Sequence, residues 1–120
     1  MDRNTLTEKL AIKTAHELPH YTDSYIKESH MNYIDFHRKN NPDEILVIPM
    51  EEMAELTQHL SKLMRNKESS DDIGLLEELV DVQICIDNLK LYLNIDEEKF
   101  KYVMDIKLER SNKKIESGNA

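Results

Sequence analysis

The chain has 120 residues and a formal net charge of −8 at pH 7. Its length fits one domain, and its acidity argues against duplex nucleic acid as a partner, because phosphate binding needs a basic surface. Only two glycines and three prolines occur, while 33% of the residues are charged and 39% are apolar. So few turn-forming residues argue against a strand-rich fold. The composition predicts an all-α helical bundle of four or five helices.

The cysteine count and the apolar runs bear on the cellular location. Cys85 is the only cysteine, which excludes an intramolecular disulfide and a zinc site built on several cysteines. No apolar run is long enough to span a bilayer, and the first twenty residues lack the apolar core of a secretion signal. We therefore expect a cytoplasmic protein with no membrane partner.

Two helices are predicted in the N-terminal third of the chain. Residues 5–17 form a short helix that ends before Pro19. Residues 23–39 form the second helix, for which Asp23 or Ser24 provides the N-cap.

The central part of the chain predicts a pair of helices. Residues 40–44 form a turn, and Pro49 suits the first turn of a helix over residues 50–66. A loop over residues 66–74 leads to a helix over residues 75–93. The apolar stripe of the first helix of this pair consists of Met53, Leu56, Leu60, Leu63 and Met64. A final helix follows over residues 97–115, capped by Asp96.

The helix over residues 75–93 carries acidic residues between two apolar flanks. At about 100° per residue, Gln83, Asp87 and Lys90 share its solvent face. Glu78 and Asp81 lie roughly opposite, so we expect both carboxylates to point into the bundle. One apolar flank consists of Leu75, Leu79, Val82, Ile86 and Leu93, and the other of Val80, Ile84 and Leu91.

Buried carboxylates need a hydrogen-bonding partner or a cation. Glu52 and Glu55 lie one turn apart on the preceding helix. Because the loop between the helices is short, we expect antiparallel packing that brings these two residues to Glu78 and Asp81. Four oxygen donors without sulfur describe a hard-cation site, for magnesium or manganese.

These acidic residues form a pattern. The segment EEMAE contains Glu51, Glu52 and Glu55, and the segment ELVD runs from Glu78 to Asp81. Together they match the pattern EExxE…ExxD, and on these residues the chain resembles the MazG-like family of all-α nucleoside triphosphate pyrophosphohydrolases. Either half alone is common on helices, whereas both halves in order on adjoining helices are more specific.

The resemblance covers about residues 45–116 of a single domain over residues 1–120. It continues through residues 94–115, which are similar to the third core helix of the family and its basic C-terminal stretch. Residues 1–44 are an N-terminal helical extension that is less similar to the family.

The resemblance implies an enzyme that cleaves nucleoside triphosphates, either NTP or dNTP, between the α- and β-phosphates to a monophosphate and pyrophosphate. Magnesium held by Glu52, Glu55, Glu78 and Asp81 would neutralise the triphosphate and activate a water molecule. Glu51 either orients or deprotonates that water, together with the catalytic Glu52 and Glu55, or is simply solvated.

Three further residues are candidates for substrate binding. Lys107 and Arg110 share one face of the last helix with Lys114. They form either an ordinary solvated basic face or, as we expect beside an anionic ligand, contacts with phosphate. Asn88 lies two turns beyond Asp81, where it either binds a base or sugar edge or is a hydrogen-bonded core amide.

Cys85 and His59 are weaker candidates. No basic partner for Cys85 is evident, so we expect a small core residue rather than a nucleophile. His59 follows Glu55 by one turn and could join the site, although a single histidine there is more often structural.

Two alternatives to this interpretation differ in class. A carboxylate-bridged di-iron or di-manganese bundle needs paired ExxH motifs on two helices, and the sequence has no such pair. A non-catalytic helical module for protein interaction or nucleotide sensing remains open.

The second apolar flank of the helix over residues 75–93 also needs cover, from the N-terminal segment or from another subunit. The resemblance implies a homodimer or homotetramer whose four-helix core is completed between chains.

Overall fold

The computed structural model describes residues 17–118, and its regular secondary structure consists of four α-helices. The all-α prediction is confirmed. The helices are α1 (Asp23–Asn40), α2 (Glu44–Met64), α3 (Ile73–Tyr92) and α4 (Glu97–Glu116). None of the four is long and apolar enough to cross a membrane. The helix predicted over residues 5–17 lies, except for Glu17, outside the described residues.

Side-chain caps fix where three of these helices begin. Thr22 caps α1 by accepting a hydrogen bond from the Tyr25 amide at 3.2 Å, so the prediction of Asp23 or Ser24 was wrong. The threonine is preferred because its extended backbone aims the hydroxyl at the first free amides. Asp72 caps α3, and Asp96 caps α4 as predicted, accepting from the Lys99 amide at 3.1 Å.

Helix α2 begins six residues earlier than predicted. It starts at Glu44 instead of residue 50, which places Pro49 inside the helix rather than in its first turn. Proline cannot donate to the carbonyl one turn earlier, here that of Ile45. Both Ile45 and Pro49 are buried on the same side of α2, and the burial of this apolar turn offsets the missing hydrogen bond.

Helices α1, α2 and α3 pack together, and α2–α3 is the most extensive pair. The buried apolar side chains in the described part of the chain include Ile34 of α1, Ile45 and Pro49 of α2, and Leu75 and Cys85 of α3. This is a small core, and it lies where the three helices meet.

Helix α4 packs along none of the other three described helices. Its N-terminal end is held by Lys90, whose Nζ lies 3.1 Å from Glu97 Oε2 and 4.0 Å from the centre of the Phe100 ring. The exposed apolar residues of α4 are Tyr102, Val103, Met104, Leu108 and Ile115.

Apolar side chains are also exposed along α2 and α3. They include Met53, Leu60 and Met64 of the predicted α2 stripe, and on α3 Leu79 and Leu93 of one flank and Val80 and Ile84 of the other. Helix α1 covers only part of the second flank. Single exposed apolar residues are ordinary, but several on adjoining helices indicate an interaction surface.

The cap of α3 gives a direct stability test. Asp72 Oδ1 accepts hydrogen bonds from the amides of Gly74 at 2.7 Å and Leu75 at 3.3 Å. We expect Asp72→Ala to lower the free energy of unfolding by roughly 0.5–2 kcal/mol in urea titrations, because both amides lose their acceptor. Asp105→Ala, in the exposed middle of α4, is the matched control. Equal stability of the two variants would show that the cap contributes nothing.

Candidate functional site

Three glutamates from two helices converge at the α2–α3 contact. Glu52 and Glu55 are three residues apart on α2, a spacing that places side chains on neighbouring positions of one helix surface. Glu78 faces them from α3. Each of the three offers a carboxylate oxygen, and these oxygens lie within 4.8 Å of one another. We call these three residues the carboxylate cluster.

The carboxylate cluster runs from the interior to the surface. Glu78 is buried with 6% of its surface exposed, Glu52 is half-buried, and Glu55 is exposed. Two oxygens, Glu52 Oε2 and Glu78 Oε1, are buried without a hydrogen-bond partner among the described residues. No lysine or arginine between residues 17 and 118 forms an ion pair with any of the three.

Burial and the neighbouring acids raise the pKa of Glu78 to about 8. Loss of hydration is the largest cause, followed by a hydrogen bond and the negative charge of Glu52, and then by Glu55. The protonated form of Glu78 donates a hydrogen bond to Glu52. The ionised form leaves the cluster with negative charge and no donor, so it needs a cation.

The donor set fits a divalent metal. Magnesium and manganese prefer carboxylate oxygens, and a cation between the three glutamates would give the orphaned oxygens of Glu52 and Glu78 a partner. A spacing within 4.8 Å needs only small side-chain shifts to allow bonds of about 2.1 Å to one ion. Three of the four predicted ligands therefore lie together.

Asp81, the fourth predicted ligand, lies at the edge of the cluster. It is exposed, rather than pointing fully into the bundle as Glu78 does. Partial burial of its carboxyl raises its pKa, and the charges of Glu52, Glu77 and Glu55 raise it further. Its position about 60° short of a full turn from Glu78 accounts for the difference, because that angle carries it towards the rim of the buried face.

A cavity of about 330 Å³ adjoins the cluster. Its walls include Glu52 and Asp81 as well as Tyr33 of α1, which the sequence analysis did not identify. Burial raises the pKa of the Tyr33 phenol, and the charges of Cys85, Glu44 and Glu52 add to the effect. We call this space the acidic cavity.

Asn88 is both a core residue and a wall of the acidic cavity. It is 5% exposed, and its Oδ1 lies 2.6 Å from Nδ1 of His30 on α1. The hydrogen bond uses the amide oxygen and leaves the two N–H donors for other partners. His30 was missed from the sequence because it is 58 residues away from Asn88, and no local pattern connects the two.

Cys85 and His59 do not join the carboxylate cluster. Cys85 is buried, and burial together with Glu52, Asp81 and Glu78 raises its pKa to about 11. A thiol that stays protonated at neutral pH fits the expected core role rather than a nucleophile. His59 turns instead to the α2–α3 loop, where its Nδ1 lies 2.6 Å from Glu68 Oε1.

The other predicted site residues lie apart from the cluster. Glu51 is exposed and is not among the converging carboxylates. Lys107 and Arg110 are exposed on α4, which packs along no other described helix. Within this chain the structure does not bring them to the carboxylates.

Comparisons with protein-family models, with curated protein sequences and with solved structures found no match to this chain. The role of the carboxylate cluster must therefore be inferred from its residues and their geometry.

The raised pKa of Glu78 predicts a pH dependence of stability in the metal-free protein. Below pH 4.5, the ordinary pKa of the side chain, both folded and unfolded states hold the proton and the contribution of Glu78 to stability is largest. Between pH 4.5 and about 8 only the unfolded state releases it, so the free energy of unfolding falls by up to about 1.4 kcal/mol per pH unit. Above about pH 8 both states are ionised and the loss stops.

Urea titrations in EDTA across this pH range provide the measurement. Glu78→Gln should flatten the profile, because glutamine does not titrate. Glu51→Gln, the exposed neighbour of the cluster, should keep the wild-type slope. If the free energy of unfolding of Glu78→Gln fell as steeply with pH as that of the wild type, the pH dependence would come from other groups.

Proposed function

We propose that this chain is a magnesium-dependent nucleoside triphosphate pyrophosphohydrolase, which forms a monophosphate and pyrophosphate. The observation that carries the proposal is the convergence of Glu52, Glu55 and Glu78, with two buried oxygens that lack a partner. The match to the EExxE…ExxD pattern of the MazG-like family supports the same conclusion. Manganese would fit the same donors.

The bound metal would neutralise the triphosphate and lower the pKa of a coordinated water molecule. The acidic residues of the chain would position the metal ion, each in a different way. Glu52 and Glu78 are held by burial and would fix the position of the ion, while the exposed Glu55 closes the site from the solvent side. Asp81, which lines the acidic cavity, would complete the ligand set.

Proton release accompanies metal binding in this proposal. Glu78 holds its proton up to about pH 8 in the metal-free protein, and a carboxyl group must lose its proton to bind a cation well. Metal affinity should therefore rise with pH through neutrality. Glu51, if it orients the attacking water, must do so from its exposed position beside Glu52.

Substitution of the ligands tests the proposed chemistry. Glu52→Gln and Glu55→Gln should lower magnesium-dependent release of pyrophosphate from NTPs at least about 100-fold, because each removes a charged ligand worth several kcal/mol. Asp81→Asn should also lower it strongly. The helical content measured by circular dichroism should stay unchanged, since amides preserve the shape of these side chains.

Glu98→Gln is the matched control, an exposed glutamate on α4 outside the cluster. It should retain wild-type turnover. Near-normal turnover of Glu55→Gln would contradict the proposal. Absence of magnesium-dependent thermal stabilisation by a non-hydrolysable NTP analogue would favour a protein-interaction module instead.

The substrate brings negative charge to a site that is already acidic, so cations must come from elsewhere. We propose that the chain forms a homodimer or homotetramer in which α4 packs on another subunit and brings Lys107 and Arg110 to the phosphates. The support is the unpacked α4, the small buried core and the exposed apolar residues of α2 and α3. Such surfaces are typical of subunit interfaces.

Light scattering at micromolar concentration tests the assembly. The expected mass is at least twice the 14.1 kDa of one chain, and dilution should lower activity and thermal stability together. Met104→Glu should shift the mass towards the monomer, because it places a charge in the exposed apolar surface of α4. A single species near 14 kDa with full activity would reject the oligomer.

A further inference from the structure

We propose that the groove between the start of α1 and the middle of α3 binds the base of the nucleotide. The inference rests on the proposed function and adds a second binding site to it. We define the base groove by the aromatic residues His20, Tyr21 and Tyr25 on one side and by Val80 and Ile84 of α3 on the other.

The size and lining of the base groove fit a flat aromatic ligand. The groove has a volume of about 480 Å³ and a largely apolar lining. His20 and Tyr25 are stacked with ring centres 4.8 Å apart and an interplanar angle of 22°, which makes a rigid aromatic wall. Base stacking on aromatic side chains is a common way to bind nucleotides without a strict sequence or base preference.

The opposite wall is apolar and open. Val80 is 48% exposed and Ile84 is 44% exposed, although both lie next to α1. A base inserted between them and Tyr25 would cover apolar surface on both of its faces. This gives the partly uncovered flank of α3 a function within one chain.

The base groove adjoins the acidic cavity. Ser29 and Ile84 line both spaces, and the acidic cavity also contains Glu52 and Asp81. A nucleotide whose phosphates are held at the carboxylate cluster would therefore extend its base along α3 into the groove. The neutral, aromatic base would then contact the apolar base groove, and the charged phosphates would lie at the carboxylate cluster.

Polar groups between the two spaces can contact the edge of the base. His30 lines the groove, and its Nδ1 lies 2.6 Å from Asn88 Oδ1. If His30 donates this hydrogen bond, its Nε2 is an acceptor while the Asn88 amide keeps two donors. The pair then offers one acceptor and two donors to the edge of a base. A site for a purely hydrophobic ligand would not need these polar groups.

Nucleoside binding without metal or phosphate tests the groove by itself. The probes are adenosine, cytidine, guanosine and uridine in EDTA, followed by amide NMR, with ribose as the ligand without a base. We expect at least one nucleoside to shift amide signals around Tyr25 and Ile84, and ribose to shift none. Tyr25→Ala should weaken that binding at least tenfold, and Tyr25→Phe should retain it because the ring is preserved.

Phe36→Ala is the matched control, since Phe36 is 60% exposed on α1 and lies outside the groove. It should bind as the wild type does. If Tyr25→Ala loses helical content, Tyr21→Ala replaces it, because Tyr21 is 58% exposed on the same wall. Absence of nucleoside binding to the wild type, or equal binding by the groove variants and Phe36→Ala, would overturn the proposal.

A kinetic comparison separates this proposal from the hydrolase assignment. With magnesium, Tyr25→Ala should raise the KM for NTPs at least tenfold, while cleavage of inorganic tripolyphosphate, which has no base, should be unaffected. NTP hydrolysis with equal KM in Tyr25→Ala and Phe36→Ala would reject the groove and leave the hydrolase intact. Nucleoside binding that depends on Tyr25, without any hydrolysis, would reject the hydrolase and leave the groove.

Discussion

The burial of the Glu78 carboxyl between two other acids is the constraint on which the site depends. A carboxylate that is 6% exposed and lacks a partner for one oxygen among the described residues is costly to ionise, and the raised pKa of Glu78 expresses that cost. A proton or a cation can relieve it. In the proposed function, the same burial that weakens the metal-free protein near neutral pH would favour metal binding, because a bound cation would restore favourable electrostatics to the α2–α3 contact.

The hairpin of α2 and α3 keeps these acids in place. Asp72 fixes the first residue of α3, and the 2.6 Å contact of His59 with Glu68 ties the end of α2 to the loop before that cap. Together they set the register of the helices, and a shift of one residue would turn Glu78 by about 100° away from Glu52. Helix α1 then covers the other end of the hairpin, where Ile34 and Ile45 are the most completely buried side chains.

Within the described residues, the acidic, aromatic and basic side chains of interest lie in different parts of the chain. The acids converge at the hairpin, the aromatic residues lie at the start of α1, and the basic residues Lys107 and Arg110 lie on the unpacked α4. A nucleoside triphosphate carries matching parts, an aromatic base and an anionic chain that needs cations. In the proposed assembly one subunit would supply metal ligands and the base groove, and α4 of another would supply positive charge.

Local sequence determined the elements and three of the metal-ligand candidates. Helical periodicity, the spacing of Glu52 and Glu55, and the inward position of Glu78 on its own helix are short-range properties, and so is the Asp96 cap, because neighbours along a helix fix them. Tertiary structure decided what depends on distant residues. Burial of Ile45 with Pro49 moved the start of α2, the rim position left Asp81 exposed, and His30 met Asn88 across 58 residues. Periodicity states which face a residue occupies, but only packing between helices decides whether that face is covered and which side chain lies opposite.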